Sequence, residues 1–332
     1  MIFITGVAGF LGSHLADAML AEGHKVIGID NMIGGDRGNV PAGISFVEMD
    51  CCDLRGVRQL MRGTDVLVHC AATAYEGLSV FSPHLVARNI VDASVSCFSA
   101  AIGQSVRRIV FCSSMARYGV GLPPFHESDA PAPQDPYGIA KVAAEGMLRN
   151  LCDAHGVEWT IAVPHNIVGP RQKYDDPYRN VASIFLNLMM QGRSPVIYGD
   201  GSQKRCFSYV DDCLSCLTRM AFDPKCVAQV INIGPDENEL TIHELFELCA
   251  SITGFKGGPI YMADRPQEVK NAYCSSDKAR ALLDYRTKTS LPEGLLQMYK
   301  VMVLNGPKAF NYHLDLEIIT KRTPRTWTDR LF

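Results

Sequence analysis

The run Met1–Thr5 (MIFIT) is short and apolar and passes directly into Gly6-Val7-Ala8-Gly9-Phe10-Leu11-Gly12, after which Ser13 to Ala21 carries helical periodicity. Strand, glycine turn and helix in that order constrain the fold more than any other feature, because the order opens a parallel sheet around a phosphate site. Gly6 permits the tight turn, Gly9 lets a pyrophosphate approach the helix N-terminus, and Gly12 allows the helix to pack closely on the strand. The first two glycines stand one residue further apart than in the common dinucleotide fingerprint. A second apolar run, Lys25 to Ile29, ends on Asp30, at the distance where a carboxylate accepts hydrogen bonds from an adenosine ribose. The same charge repels a 2′-phosphate, so the pattern predicts NAD rather than NADP.

With 332 residues and 47% hydrophobic content, the chain can bury a sizeable core as one large or two closely joined domains. A net charge of −3 argues against a nucleic-acid partner. We expect no membrane span, since no apolar run reads as long enough, and no secretory signal, since a strand already starts at Ile2. A cytoplasmic setting follows, and in it the 12 cysteines are expected to be reduced thiols. Cys213 and Cys216 have metal or redox spacing but fall in a helical stretch without a partner pair, which predicts core packing. The 9 histidines show no ligand spacing, so no metal is predicted.

Strand-like runs at 44–48, 66–69, 108–112 and 159–163 alternate with helical stretches that include 83–104 and 136–155. This is the βαβ rhythm of an α/β protein, a Rossmann-type doubly wound parallel sheet covered on both faces. A late strand at 230–234 is expected to complete it. The expected division is an NAD-binding domain at 1–166, completed by about 209–234, and a smaller α+β substrate-binding lobe built from 167–208 and 235–310. The stretch 311–332 is polar, basic and without period, a tail of unknown role.

Tyr137-Gly138-Ile139-Ala140-Lys141 sets a phenol and an ammonium one helical turn apart. A free tyrosine titrates near ~10, and a cation beside it, together with an oxidised nicotinamide ring, favours the phenolate, which makes a base near neutral pH.

From here the chain resembles the extended short-chain dehydrogenase/reductase family, specifically its nucleotide-sugar epimerases and dehydratases. The resemblance covers about residues 1–285 and rests on eight stretches: Thr5–Gly12, Met49–Leu54, Val68–Ala72, Phe111–Gly119, Asp135–Lys141, Pro164–Arg171, Gly199–Arg205 and Arg265–Glu268. It implies Tyr137 as general acid and base, Lys141 on the nicotinamide ribose, and Ser114 on the reacting hydroxyl, with Ser113 as the alternative. It implies cofactor contacts from Phe10, Leu11, Asn31, Asp50, Cys51, Ala71, Ala72 and Asn89, besides the glycines and Asp30. Asp92 stands where the family has a small residue. For the substrate it implies Asn166, Arg205, Arg265 and Glu268 around a sugar diphosphate, with arginine suited to two phosphate oxygens at once. Ala272, seventh after Arg265, is where a small residue admits a 2-acetamido sugar, unless Tyr273 takes its place.

The family's dehydratases carry an Asp-Glu pair directly after the catalytic Ser or Thr, whereas this chain has Met115-Ala116. The resemblance therefore implies an epimerase that oxidises C4 of a nucleotide sugar, UDP-linked, and re-reduces it on the other face. Other nucleotide-sugar chemistry and a non-catalytic NAD-binding regulator are the alternatives. Arg117, in place of an apolar residue, could reach the sugar. Related epimerases pair through helices corresponding to 83–104 and 136–155, so a homodimer is expected, with Leu85, Val86, Ile90, Ala93, Val95, Phe98 and Ala101 as apparently spare apolar surface.

Overall fold

The computed structural model describes residues 1–332. Seven parallel strands form one sheet: β1 (Ile2–Thr5), β2 (Val26–Asp30), β3 (Ser45–Glu48), β4 (Val66–His69), β5 (Arg108–Cys112), β6 (Glu158–Pro164) and β7 (Gln229–Ile233). Their order is β7-β6-β5-β4-β1-β2-β3, so the order reverses beside β1, the switch point at which ligands bind in such sheets. The late strand lies parallel to β6, with Val230 opposite Ile161.

Alternate residues of each strand feed two cores, because successive side chains point to opposite faces. On one face Phe3, Leu67, Ile109, Phe111 and Ile161 pack with α2 (Leu54–Leu60), α3 (Pro83–Gly103) and α4 (Pro136–His155). On the other, Ile2, Ile4, Val68, Val110 and Ile231 pack with α1 (Phe10–Ala21) and α6 (Val210–Phe222). Each fully buried side chain of this size is worth roughly 1.5–3 kcal/mol. Cys213 and Cys216 are buried in the second core, and all 12 cysteines are free thiols.

The long helix α3 has an 18-residue window of mean hydropathy 1.3, so by length and composition it could cross a membrane, which the sequence reading had missed. It is instead a core helix, packed against α2 and α4. Five of its seven apolar residues named above, Val86, Ile90, Ala93, Phe98 and Ala101, are buried within the chain and are not spare surface. A π-helical turn at Arg88–Asp92 interrupts it, and Asp92 stands exposed there.

A third core lies over the strand ends, formed by α5 (Val181–Met190), α7 (Ile242–Thr253) and α8 (Leu291–Asn305). Beside it the pairs Lys204–Arg205 with Leu240–Thr241 and Asn271–Ala272 make a small mixed sheet. The stretch 272–285 departs from the expected division. Ala272 and Cys274 join the first core, while Ala279, Leu283 and Tyr285 join the second. The stretch 311–332 is not a free tail: Leu314 and Trp327 are buried with Tyr75, Leu78, Phe81 and Tyr178.

Candidate active site

A cavity of about 450 Å³ runs along the carboxyl ends of the strands and collects almost every residue singled out above. At one end Gly6 has φ +71°, a left-handed value that favours glycine. A Cβ on Gly12 would stand 2.2 Å from the Gly6 carbonyl oxygen, so only glycine lets α1 lie this close to the turn. Asp30 accepts from the amides of Ala8 (3.0 Å) and Met32 (2.8 Å), and burial raises its pKa. A Cβ on Gly35 would come within 3.0 Å of the Asp30 carboxylate, so that glycine keeps its face open. Asn31, Asp50, Cys51, Ala71 and Ala72 line the same end. Asn89 is buried there with its Nδ2 unpaired, an orphan donor turned to the cavity wall. Glycine cradle, acidic ribose acceptor and orphan donor fit a dinucleotide. Asp30→Ser is expected to weaken NAD binding and relax the rejection of NADP, as read by cofactor titration; native protein that copurifies with NADP would refute this assignment.

Tyr137 sits in the first turn of α4, capped by Asp135, whose carboxylate accepts from Gly138 at 2.8 Å. Burial pushes the Tyr137 phenol well above its ordinary value, the Ser114 hydroxyl pulls it down, and the charges of Glu76 and Asp135 push it up again. The phenolate expected from the Tyr-Lys spacing is thus not what these residues alone produce. Lys141 donates to the Cys112 carbonyl (2.8 Å), 5.9 Å from the centre of the Tyr137 ring, and burial lowers its pKa to about 8. Ser114 faces the cavity, whereas the Ser113 hydroxyl donates to Glu145 at 2.5 Å. Arg117 does not reach the sugar side. It is buried against Glu145, Nε to Oε1 and Nη2 to Oε2 both at 3.0 Å, because an unpaired guanidinium in that core would be too costly.

Further along, the Asn166 side chain donates to the Cys206 carbonyl (2.9 Å). Arg205 donates to the carbonyls of Lys204, Lys270 and Val269, and Arg265 pairs with Glu268 at 3.1 Å. Ala272 is buried in a small side chamber with Met115, Ala116 and Phe125. The neighbouring Tyr273 stays outside, where the Glu239 carboxylate raises its pKa after desolvation.

Three cavity groups escaped the sequence. Arg179 lies over the Tyr75 ring at 4.9 Å with no carboxylate partner, and only its place just before α5 could have marked it. Glu76 faces the cavity, its pKa raised by burial against the pull of Arg205 and Arg265. Asp135, in the side chamber and raised to about 7 by burial and by Glu76, was named in the sequence only as the first residue of the stretch Asp135–Lys141, with no role of its own. The fold also gathers Cys51, His69 and Cys97, which no sequence spacing announced. His69 uses Nδ1 on Thr5 (2.7 Å) and Nε2 on Ser94 (3.0 Å), so its ring has no nitrogen left for a cation.

Fold and site together define an enzyme of the dinucleotide-dependent Rossmann class. The chain belongs to the NAD dependent epimerase/dehydratase family, whose model matches residues 2–234. It is 32% identical to a UDP-glucose 4-epimerase of Mycolicibacterium smegmatis, over 88% of this chain and 95% of that one. The UDP-glucose 4-epimerase of Thermotoga maritima, solved with UDP-glucose, superposes with a TM-score of 0.86 at 30% identity, covering 92% of this chain and 99% of that one. A UDP-N-acetylglucosamine 4-epimerase of Methanobrevibacter ruminantium, in complex with UDP-N-acetylmuramic acid, gives a TM-score of 0.85 at 28% identity, covering 92% and 98%.

Proposed function

We propose that the chain is an NAD-dependent 4-epimerase of a UDP-linked sugar. The observation that carries this reading is the convergence of Ser114, Tyr137 and Lys141 on the same cavity as the glycine cradle. Bound NAD supplies hydride acceptance and return at C4, so that the sugar passes through its 4-keto form, turns, and is reduced on the other face. Tyr137, whose phenolate the positive nicotinamide ring of bound NAD would favour against its buried surroundings, takes the proton of the C4 hydroxyl and gives it back, within reach of Ser114. Lys141, held by the Cys112 carbonyl, keeps a positive charge under the cofactor side. Arg205, Arg265 and Arg179 provide the positive lining for a diphosphate, and Asn166 in the same lining is the sugar contact.

The small side chain of Ala272 supports acceptance of a 2-acetamido group; the chamber beside it, about 20 Å³, has room for about one water and has to widen to take that group. Incubating the purified protein with a panel of UDP-sugars, without added NAD, tests both points: C4 epimers should form, 2-acetamido sugars among them. Rejection of every 2-acetamido sugar overturns the Ala272 assignment, and absence of any epimer overturns the function. Glu76 and Asp135 favour one second reading, elimination of water, since they bring carboxyls toward Tyr137 that Met115-Ala116 does not supply. A product lighter by one water would establish it.

We infer the two-lobe division from the separate core of α5, α7 and α8, with 272–285 shared. Twelve free thiols support a cytoplasmic setting. A homodimer through α3 and α4 is also proposed, now on Ile139 (54% exposed) and Met147 (39%), which with Ala143 form a stripe at helical spacing along α4. Light scattering should give twice the chain mass; a monomer at micromolar concentration refutes it.

A further inference from the structure

We propose that the segment 311–332 is the outer wall of the nucleotide-sugar site at its nucleoside end, with Phe332 meeting the ligand. This rests on the nucleotide-sugar reading above. The segment has almost no secondary structure of its own, only the helical turn Arg325–Thr328, so its course is set by what it grips.

It grips three segments that lie far apart in sequence, the second and third of them in the cavity lining. The first is the stretch after β4. The Ser82 hydroxyl donates to the Asp315 carbonyl (2.9 Å), and the free amides of His84 and Leu85 at the start of α3 donate to Glu317 (2.9 and 2.8 Å). The second is the loop before α5, where the Trp327 indole N–H donates to the Pro177 carbonyl (3.1 Å) and its ring meets Tyr178 at 5.5 Å. The third is Val196–Tyr198: the Thr326 hydroxyl pairs with the Tyr198 hydroxyl, and Arg265 stacks over that same ring at 4.6 Å. The fit is close, since a Cβ on Gly77 would stand 3.6 Å from the Trp327 ring and 3.1 Å from Arg265. Finally Arg193 donates to the Leu331 carbonyl (2.7 Å) and the Phe332 amide donates to the Tyr312 hydroxyl (3.0 Å). Those two bonds seat Phe332 in the cavity lining.

The end of the cavity reached in this way is apolar and aromatic, with Val196, Ile197, Tyr198, Phe207 and Ile242 in its lining. Arg265 joins this end to the turn at Glu76–Gly77, since it stacks over Tyr198 at 4.6 Å and stands 3.1 Å from where a Cβ on Gly77 would lie. A ligand with its sugar at Tyr137 and its diphosphate at the arginines therefore places its base here, and a flat aromatic wall suits a base. Thr326 and Trp327 are positioning residues that hold Tyr198 and the 177–178 loop. Phe332 is the contact.

The test is calorimetric titration of full-length Phe332→Ala with UDP, with NAD content and melting temperature measured on the same sample. We expect the Kd for UDP to rise at least about fivefold and KM to rise with it, while kcat stays within about twofold and Phe332→Tyr keeps wild-type affinity. A smaller change in Kd in the folded, NAD-loaded variant overturns the proposal. UDP titration needs no turnover, so the two readings fail separately. An active epimerase with unaltered UDP affinity sinks only the wall, and weakened UDP binding without epimer formation sinks only the reaction.

Discussion

Tyr137→Phe is expected to lose about 10²- to 10⁴-fold in turnover while keeping its fold and its bound NAD. The ring is packed among Val86, Ile90, Ala116 and Ala140, and a phenylalanine refills that space, so only the transferable proton is removed. The neighbours give the effect its size. Burial, Glu76 and Asp135 raise the phenol's pKa against the opposing pull of Ser114 and Arg179, so the base depends on the positive charge that bound NAD would add beside it. Separation of C4 epimers at saturating substrate measures the loss; turnover within about threefold of wild type would end the assignment of Tyr137 as acid and base.

Glu145→Leu should be strongly destabilising. Its carboxylate is 2% exposed and accepts from Ser113, Arg117 and Arg149, and removing it strands the Arg117 guanidinium, itself 3% exposed, in the core. Stranding one partner of a buried pair costs about 3–5 kcal/mol. In a chain of this size that lowers the melting temperature by roughly 4–7 °C. The double variant Arg117→Met, Glu145→Leu should recover most of the loss, because a well-packed apolar pair replaces the ion pair without a desolvation cost. A single variant melting within about 2 °C of wild type would show that Arg117 finds water or another partner.

The strands and helices that the sequence announced are those whose apolar runs are bounded by turn residues. Val66–His69, Arg108–Cys112 and Pro136–His155 fall where the pattern places them. The glycine turn, Asp30, Tyr137 and Lys141 were legible for a related reason: their chemistry needs fixed spacing along a continuous chain. Arg117 misled because its partner Glu145 lies 28 residues away on another element, and nothing local says which way a long side chain turns. Arg179 and Glu76 were invisible because they enter the cavity from a loop and from the one-turn helix Glu76–Ser79, neither of which carries a motif. Residues 311–332 were opaque because Leu314 and Trp327 bury themselves one by one, without period. The state of Tyr137 depends on charges from three separate segments, which no spacing rule contains.

The π turn at Arg88–Asp92 works as a gear inside α3. One additional residue in a turn rotates everything beyond it by roughly 100°. Ahead of the turn Val86 meets Tyr137 and Ala140, and beyond it Cys97, Phe98 and Ala101 meet the sheet. A single straight stripe could serve only one of these directions, so an unbroken helix of the same hydropathy would have to give up either the wall of the reaction centre or the floor of the fold. Asn89 rides in the gear itself, buried with its amide unpaired between the exposed Arg88 and Asp92. Deleting one residue from this turn would leave composition and helix length almost unchanged and yet put the two halves out of mesh.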